Sequence, residues 1–275
     1  MNTLMRTMAA AVLLSGLLAG TVAANAATKP TTAIAVPVAS VVPVIPVASA
    51  KPATKAKISF PPSADLSYSI QAKQKGMPIE GDAVMRWSMT GNSFSISNEA
   101  RAMIVGKILD TKSEGLIDAD GLAPTSITEK RFRRPATTTS FDRSENRITF
   151  SSSDEQYPIQ GGEQDRNSVI WQLAGVARGM SKKFKTGFVW KVVVAGQRDA
   201  DEWVFKVVGQ DTIHTPLGEL NSLHVQRVPT PDSKDQLLDI WLAPTLEWYP
   251  VRVRYSEDNG DYIEQTLQEL NRKTP

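Results

Sequence analysis

The sequence predicts a mainly β protein, in which a curved antiparallel meander forms an open or incomplete barrel and one amphipathic helix, at about residues 165–180, packs against it. Three observations carry that expectation. Apolar and polar residues alternate with period two along many short runs, turn residues bound those runs, and one stretch instead shows the longer apolar period of a helix.

The alternation begins after Ile58. Leu66, Tyr68 and Ile70 alternate with Ser67 and Ser69, and Val84 to Met89, Phe94-Ser95-Ile96 and Ile148-Thr149-Phe150 continue it. Successive side chains of a strand point to opposite faces, so such runs describe a sheet with one face buried. In the second half, strands are expected at Phe188–Ala195, Asp201–Val208, Leu220–Val228, Gln236–Leu242, Tyr249–Tyr255 and Tyr262–Leu270. Gly196-Gln197, Pro216-Leu217-Gly218 and Asp258-Asn259-Gly260-Asp261 supply the turns, and Asn-Gly readily takes the positive φ angles of a tight hairpin. Neighbours joined this way make a meander.

The helical stretch runs from Asp165 to Met180. Val169, Ile170, Leu173, Ala174, Val176, Ala177 and Met180 share one wide face. Asp165 is placed to cap its start. Trp171 falls beside Arg178 on the other face, as a cation–π pair or as the edge of the packing stripe. The helix is expected to close the open side or end of the sheet.

Residues 1–26 read as a secretory signal peptide: Arg6, an apolar stretch from Met8 to Ala19, then Ala24-Asn25-Ala26, with cleavage expected after Ala26. The apolar part is shorter than the about 20 residues that span a bilayer. From 27 to 57 the composition turns to Ala, Val, Pro and Thr, a tether that is partly extended as polyproline II. Residues 58–275 then suffice for a single β-rich domain with a substantial core. The chain has no cysteine, which excludes disulfides, a thiol nucleophile and a lipid-modified N-terminal Cys. No later segment suits a membrane span, so the mature chain is expected to be exported, to the periplasm of a Gram-negative bacterium. The formal charge is +2, but Arg6, Lys29, Lys51, Lys55 and Lys57 precede the domain, which is therefore slightly acidic. Nucleic acid is not an expected partner.

Catalytic chemistry finds little support. There are two histidines and no Gly-x-Ser-x-Gly elbow to present a serine nucleophile. His214 and His224 flank the Pro216-Leu217-Gly218 turn; with Ile213 opposite Leu223 they would lie diagonally on one face, where Asp211 or Glu219 could complete a metal site. A one-residue slip separates them, and two surface histidines are the simpler reading. Glu80 with Asp82, Asp118 with Asp120, Glu163 with Asp165, and Asp199 with Asp201 offer carboxylate pairs of the kind glycosidases use, but no neighbours single one out. Cofactor fingerprints are missing, and no cofactor is expected. Gly161-Gly162 precede the helix, where Glu163 and Asp165 would repel an anion, so the glycines are read as a turn. The run Lys130-Arg131-Phe132-Arg133-Arg134 reads as a contact for acidic lipid head groups or phosphorylated glycans, or as an edge strand with Phe132 inward, the second being favoured.

Several local patterns occur in a characteristic order. Gly76-Met77-Pro78-Ile79 with Gly81 comes first, then Asp120-Gly121-Leu122-Ala123-Pro124 leading into Glu129 to Arg134, then Gln164-Asp165-Arg166-Asn167-Ser168. Thr215-Pro216-Leu217-Gly218, Trp241-Leu242-Ala243-Pro244 and Tyr249-Pro250-Val251-Arg252 follow. Together they resemble the bacterial domain of unknown function 3108 family over most of residues 64 to 270. The resemblance implies an exported, mainly β domain without an assigned reaction. It implies a looser analogy to lipoprotein-carrier folds, where a curved sheet closed by helix holds acyl chains; this chain departs in having one clear helix.

The expected function is that of a non-enzymatic cell-envelope protein that binds a lipid-like or other hydrophobic ligand in the concavity of its sheet. Trp87, Met89, Trp171, Trp203 and Trp241, with Arg131 and Arg133, are the candidate contacts, and each apolar one is equally a core candidate. A protein-interaction module in envelope assembly, using the tether and an exposed strand edge, is the alternative. A glycan hydrolase acting through a carboxylate pair ranks third.

Overall fold

A computed structural model describes residues 57–229 and 236–273. The expected signal peptide (1–26) and all but the last residue of the expected tether lie outside them. The described strands are β1 (Ala64–Gln74), β2 (Met77–Thr90), β3 (Ser93–Ala102), β4 (Gly106–Asp118), β5 (Gly121–Arg131), β6 (Thr137–Asp142), β7 (Arg147–Phe150) and β8 (Ser153–Pro158). After β9 (Gln164–Asp165) and helix α1 (Ser168–Gly179) come β10 (Val189–Ala195), β11 (Ala200–Thr215), β12 (Gly218–Val228), β13 (Leu237–Ala243), β14 (Tyr249–Ser256) and β15 (Tyr262–Arg272).

All 15 strands belong to one sheet, in the order β8-β7-β6-β5-β4-β3-β2-β1-β15-β14-β13-β12-β11-β10-β9. Every pairing is antiparallel except β9 with β10. β1 pairs with β2 on one side and β15 on the other, so the meander runs outward from its own first and last strands to edges at β8 and β9. Alternation is the cause: Ala64, Leu66, Tyr68 and Ile70 of β1 are buried, as are Phe94, Ile96, Asn98 and Ala100 of β3. The Asn259-Gly260 hairpin forms as expected, with Gly260 at φ 83° and the Glu257 amide donating to the Asp261 carbonyl at 2.9 Å.

The sheet does not close, yet its free sides are laced together by side chains. Thr139 Oγ1 donates to the Gly196 carbonyl at 2.7 Å and Ser152 Oγ to that of Gln197 at 2.7 Å. Phe141, Ile148 and Phe150 share an apolar cluster with Ala195 and Ala200. The mainly β, open, barrel-like class expected from the sequence is thus the observed one.

Three local expectations are corrected. The basic run is no edge strand: only Lys130 and Arg131 belong to β5, where they pair with β4 beyond the Ser126–Glu129 stretch that also pairs with β6, and the chain then turns, with Arg133 at φ 57°. β11 continues to Thr215, well past Val208, because a register shift between Val207 and Gly209 interrupts the alternation without ending the strand. Helix α1 does more than cover an opening with one face, since every residue from Ser168 to Ala177 is buried. Trp171 accordingly stacks on Trp87, with centroids 4.7 Å apart, while Arg178 pairs with Glu247 at 2.9 Å instead of with the indole. The chain enters the domain across this helix: the Ser59 amide donates to the Gly175 carbonyl at 3.0 Å, and a Cβ on Gly179 would sit 2.0 Å from the Lys57 carbonyl. Only glycine permits that approach.

Candidate ligand-binding cavity

Strand register arranges the inward side chains of β2 to β5 in rows. One row is Trp87, Ile96, Ser113 and Ile127; the next is Met85, Asn98, Thr111 and Glu129; a third is Ala83, Ala100, Leu109 and Arg131. Helix α1 fills the concavity at the Trp87 row. Beyond it, past the N-terminal end of the helix, a cavity of about 1140 Å³, counting its opening, is left between Met85, Ile96, Ile170, Val253 and the polar row. A second recess of about 720 Å³ lies beside it at the strand ends around Ala72, Ile79 and Ala102, with the charged Lys73, Glu80 and Arg101 also on its wall. Ile70, Ile108, Gln236, Tyr255 and Ile263 line both, so the two recesses adjoin. Met103 and Ile104, at the tip of the β3–β4 hairpin beside the outer recess, are 78% and 82% exposed.

The inner end is polar, and the start of the helix positions it. Asp165 Oδ1 accepts the amides of Asn167 and Ser168, both at 2.8 Å, while Ser168 Oγ accepts the Asp165 amide at 2.9 Å. This reciprocal arrangement satisfies free donors of the first turn, so Asp165 serves the helix start as its residue type suggests. Ser113 Oγ donates to the same carboxyl. Burial pushes the Asp165 carboxyl well above the usual range, against these hydrogen bonds. With the turn pinned, Arg166 and Asn167 line the cavity. Asn167 Nδ2 donates to Thr111 Oγ1 at 2.7 Å, which ties the helix start to β4.

Arg166, Arg131 and Glu129 are the charged side chains of the inner cavity wall. Glu129 accepts a hydrogen bond from Arg131 Nε. Arg166 forms no hydrogen bond or ion pair among the described residues, and its Nε is buried without a partner. The Asn98 side chain, 8% exposed, likewise leaves Oδ1 buried and unpartnered. Tyr255 stands opposite, its hydroxyl held in the protonated form chiefly by burial; Arg166 opposes that shift and Glu129 adds to it.

The candidate contacts expected from the sequence are distributed unevenly. Arg131 lines the cavity. Trp87 and Trp171 are fully buried in the stacked core beneath it. Trp203 packs in the core with the Arg227 guanidinium 4.0 Å above its ring, Met89 lies against the lower core, and Arg133 sits exposed over Phe132. Trp241 stacks on His224 at 4.3 Å, and its Nε1 donates to Asp211 at 2.7 Å. None of these six borders the cavity.

The shared histidine site does not form. Ile213 pairs with Leu220 and His214 with Glu219, three positions away from the register that would bring the histidines together. His214 is solvent-exposed beside Glu219, whereas His224 lies between Asp211 and Asp239. No group of three metal-ligating side chains occurs among the described residues. Two of the carboxylate pairs have structural work: Glu163 accepts the amides of Gln160 and Gly161, and Asp118 that of Asp120.

Sequence reasoning missed Arg166, Asn98 and Tyr255. A polar residue in a strand's apolar phase was the available signal for Asn98, which follows Phe94 and Ile96 at period two.

An antiparallel, incompletely closed barrel with a helix in one part of its concavity and a partly polar cavity in the rest defines the class of this protein. The chain belongs to the family described as protein of unknown function (DUF3108), whose model matches residues 66–268. Among solved structures it is similar to a beta-barrel-like protein of domain of unknown function DUF1849 from Brucella abortus, at 11% identity and a TM-score of 0.53, covering 79% of this chain and all 100% of the other. That likeness concerns the fold. A protein from Parabacteroides distasonis assigned as a lipoprotein matches at 13% identity and TM-score 0.34, with 79% and 100% coverage. A domain from Vibrio parahaemolyticus assigned to outer membrane lipoprotein sorting matches at 7% identity and TM-score 0.27, with 78% and 86% coverage. No curated protein matches the sequence.

Proposed function

We propose that this protein is an exported envelope protein that binds a lipid-like or other hydrophobic small molecule in the concavity of its sheet and does no chemistry on it. The cavity carries the reading. Ile70, Met85, Ile96, Ile108, Val253 and Ile263 give it apolar walls, and Asn98, Thr111, Glu129, Arg131, Arg166 and Asn167 give it a polar side, a combination that suits a small-molecule site. The leader expected at residues 1–26 supports export, and the involvement of Glu163 and Asp118 in turns argues against a glycosidase pair.

Native mass spectrometry of the protein extracted gently from its own envelope tests the reading. The expected result is a ligand adduct that exchanges on incubation with lipid. Recovery of bare polypeptide alone, with no exchange, overturns it. The same spectra give the mature mass, which should correspond to cleavage after Ala26.

A further inference from the structure

We infer that the cavity takes an amphiphile with one anionic head, a carboxylate or a phosphate, seated at Arg166 with its alkyl chain directed toward the Ala72–Ala102 rim. This rests on the ligand-binding reading above and adds the ligand's charge and orientation.

Three observations converge on the head group. First, a guanidinium N–H buried without an acceptor is costly, and proteins ordinarily pair such a group; in half-buried Arg166 that N–H is Nε. Arg166 has no hydrogen bond or ion pair among the described residues. Second, the acidic group on the same wall is already engaged, since Glu129 accepts from Arg131 Nε. Third, the guanidinium is held in place without an ion pair among the described residues. It packs over Gly196, where a Cβ would come within 3.0 Å of Nη2, 3.3 Å of Nε and 3.0 Å of Asp199 Oδ1, a carboxylate that lies near the guanidinium without reaching ion-pair distance. Asp165, in the preceding position, is committed to the helix start and Ser113. A planar guanidinium offers its donors in a fork that matches a carboxylate or phosphate. The Tyr255 hydroxyl is a further donor lining the same cavity.

The tail direction follows from register. From Asn98 the row positions Ala100 and Ala102 climb toward the rim, and four residues of strand cover about 13 Å. Ile70, Ile108 and Ile263 flank that path in both recesses. A medium-length alkyl chain fits such a run, while its head meets the cation at the polar end.

The test uses the mature full-length chain and displacement of a neutral fluorescent naphthylamine by four dodecyl probes: dodecanoate, dodecyl phosphate, dodecanol and dodecyltrimethylammonium. The two anions should bind more tightly than the alcohol, and the cation least. Which anion is tighter separates a fatty-acid-type from a phosphate-type ligand. Arg166→Gln should weaken the anions by about ten- to a hundredfold, the range of a hydrogen bond to a charged group, and leave dodecanol unchanged. Arg166→Lys should recover part of the loss, and Arg133→Gln, at the exposed turn, should change nothing. Asn98→Asp is the second variant if the Arg166 changes impair folding, and it should weaken the anions alone. If dodecanol binds as well as the anions and the Arg166 and Asn98 variants do not discriminate among heads, the anionic assignment falls while ligand binding stands. If no probe displaces the dye, binding of an alkyl amphiphile in this cavity falls too.

Discussion

Around Trp87, the concavity of the sheet is occupied by helix α1: Trp171 lies flat on Trp87 at 4.7 Å, Tyr249 meets Trp171 edge-on at 6.2 Å, and Ala174 and Leu173 have no exposed surface. One row further along the same strands, around Met85 and Asn98, the helix has not yet begun and the side chains face open space. Sheet, register and alternation are common to both regions. What differs is where the helix starts, and Asp165 with Ser168 fixes that point. An orphaned polar atom also means different things in the two places. Trp171 Nε1 is buried without a partner among aromatic rings, which is a cost of packing. Arg166 Nε and Asn98 Oδ1 are unpartnered on residues that border a cavity, where a ligand or water can reach that end.

The largest way to break the comparison is to empty the packed region. Trp171→Ala removes the ring that joins the Trp87 and Tyr249 contacts and should cost about 3–5 kcal/mol of unfolding free energy. Urea unfolding followed by circular dichroism measures it. A loss below about 1 kcal/mol would mean that the helix end of the interior is as loosely filled as the cavity end.

A matched pair of enlargements sharpens the contrast at smaller amplitude. Ala174→Leu inserts volume where Ala174 is fully enclosed and should destabilise by about 1–3 kcal/mol, because strained rotamers and backbone shifts are the only ways to fit it. Ala100→Leu makes the same chemical change on the cavity wall and should leave stability within about 0.5 kcal/mol of the parent, since the new methyls enter open space. It should also reduce binding of the dodecyl probes. Equal losses from the two substitutions in thermal melts would contradict the existence of a usable cavity.

The strands were legible because alternation and turn chemistry are local. Tyr249 to Tyr255 and Tyr262 to Leu270 were expected almost to their observed limits, and the Asn259-Gly260 turn between them needs nothing from the rest of the chain. Register across β11 and β12 was not legible. Aligning Ile213 with Leu223 satisfied an apolar pairing, but the two-residue turn at Pro216-Leu217 sets Thr215 opposite Gly218, and the shift at Val207 then absorbs the mismatch. The site was hidden for a different reason. Large aromatics announce themselves in a sequence and were expected to meet the ligand, but Trp87 and Trp171 are spent on the core. The apolar part of the cavity is lined by ordinary Ile, Val and Ala, and Arg166 comes from a turn whose direction depends on tertiary hydrogen bonds.

The smallest expected effect concerns the turn that separates the two regions, and its pH dependence has a definite sign. Asp165 has its carboxyl pKa raised above the ordinary 3.8 by burial. Folding therefore favours its protonated form. Its contribution is fully present below the unfolded value and declines as pH rises from there through the higher folded value. Asp165→Asn keeps an acceptor for the Asn167 and Ser168 amides and removes the ionisation. Stability at neutral pH should shift by no more than about 1 kcal/mol. The difference between parent and variant stability should move in the variant's favour as pH rises above about 3.8, the ordinary value from which the shift is counted. Asp165→Ala, which also loses the acceptor, should cost about 0.5–2 kcal/mol more and, by freeing the first turn, loosen Arg166 along with it. Parallel urea titrations across the acid range read both effects. A constant difference between parent and Asp165→Asn would show that Asp165 ionises in the folded protein as freely as in the unfolded chain.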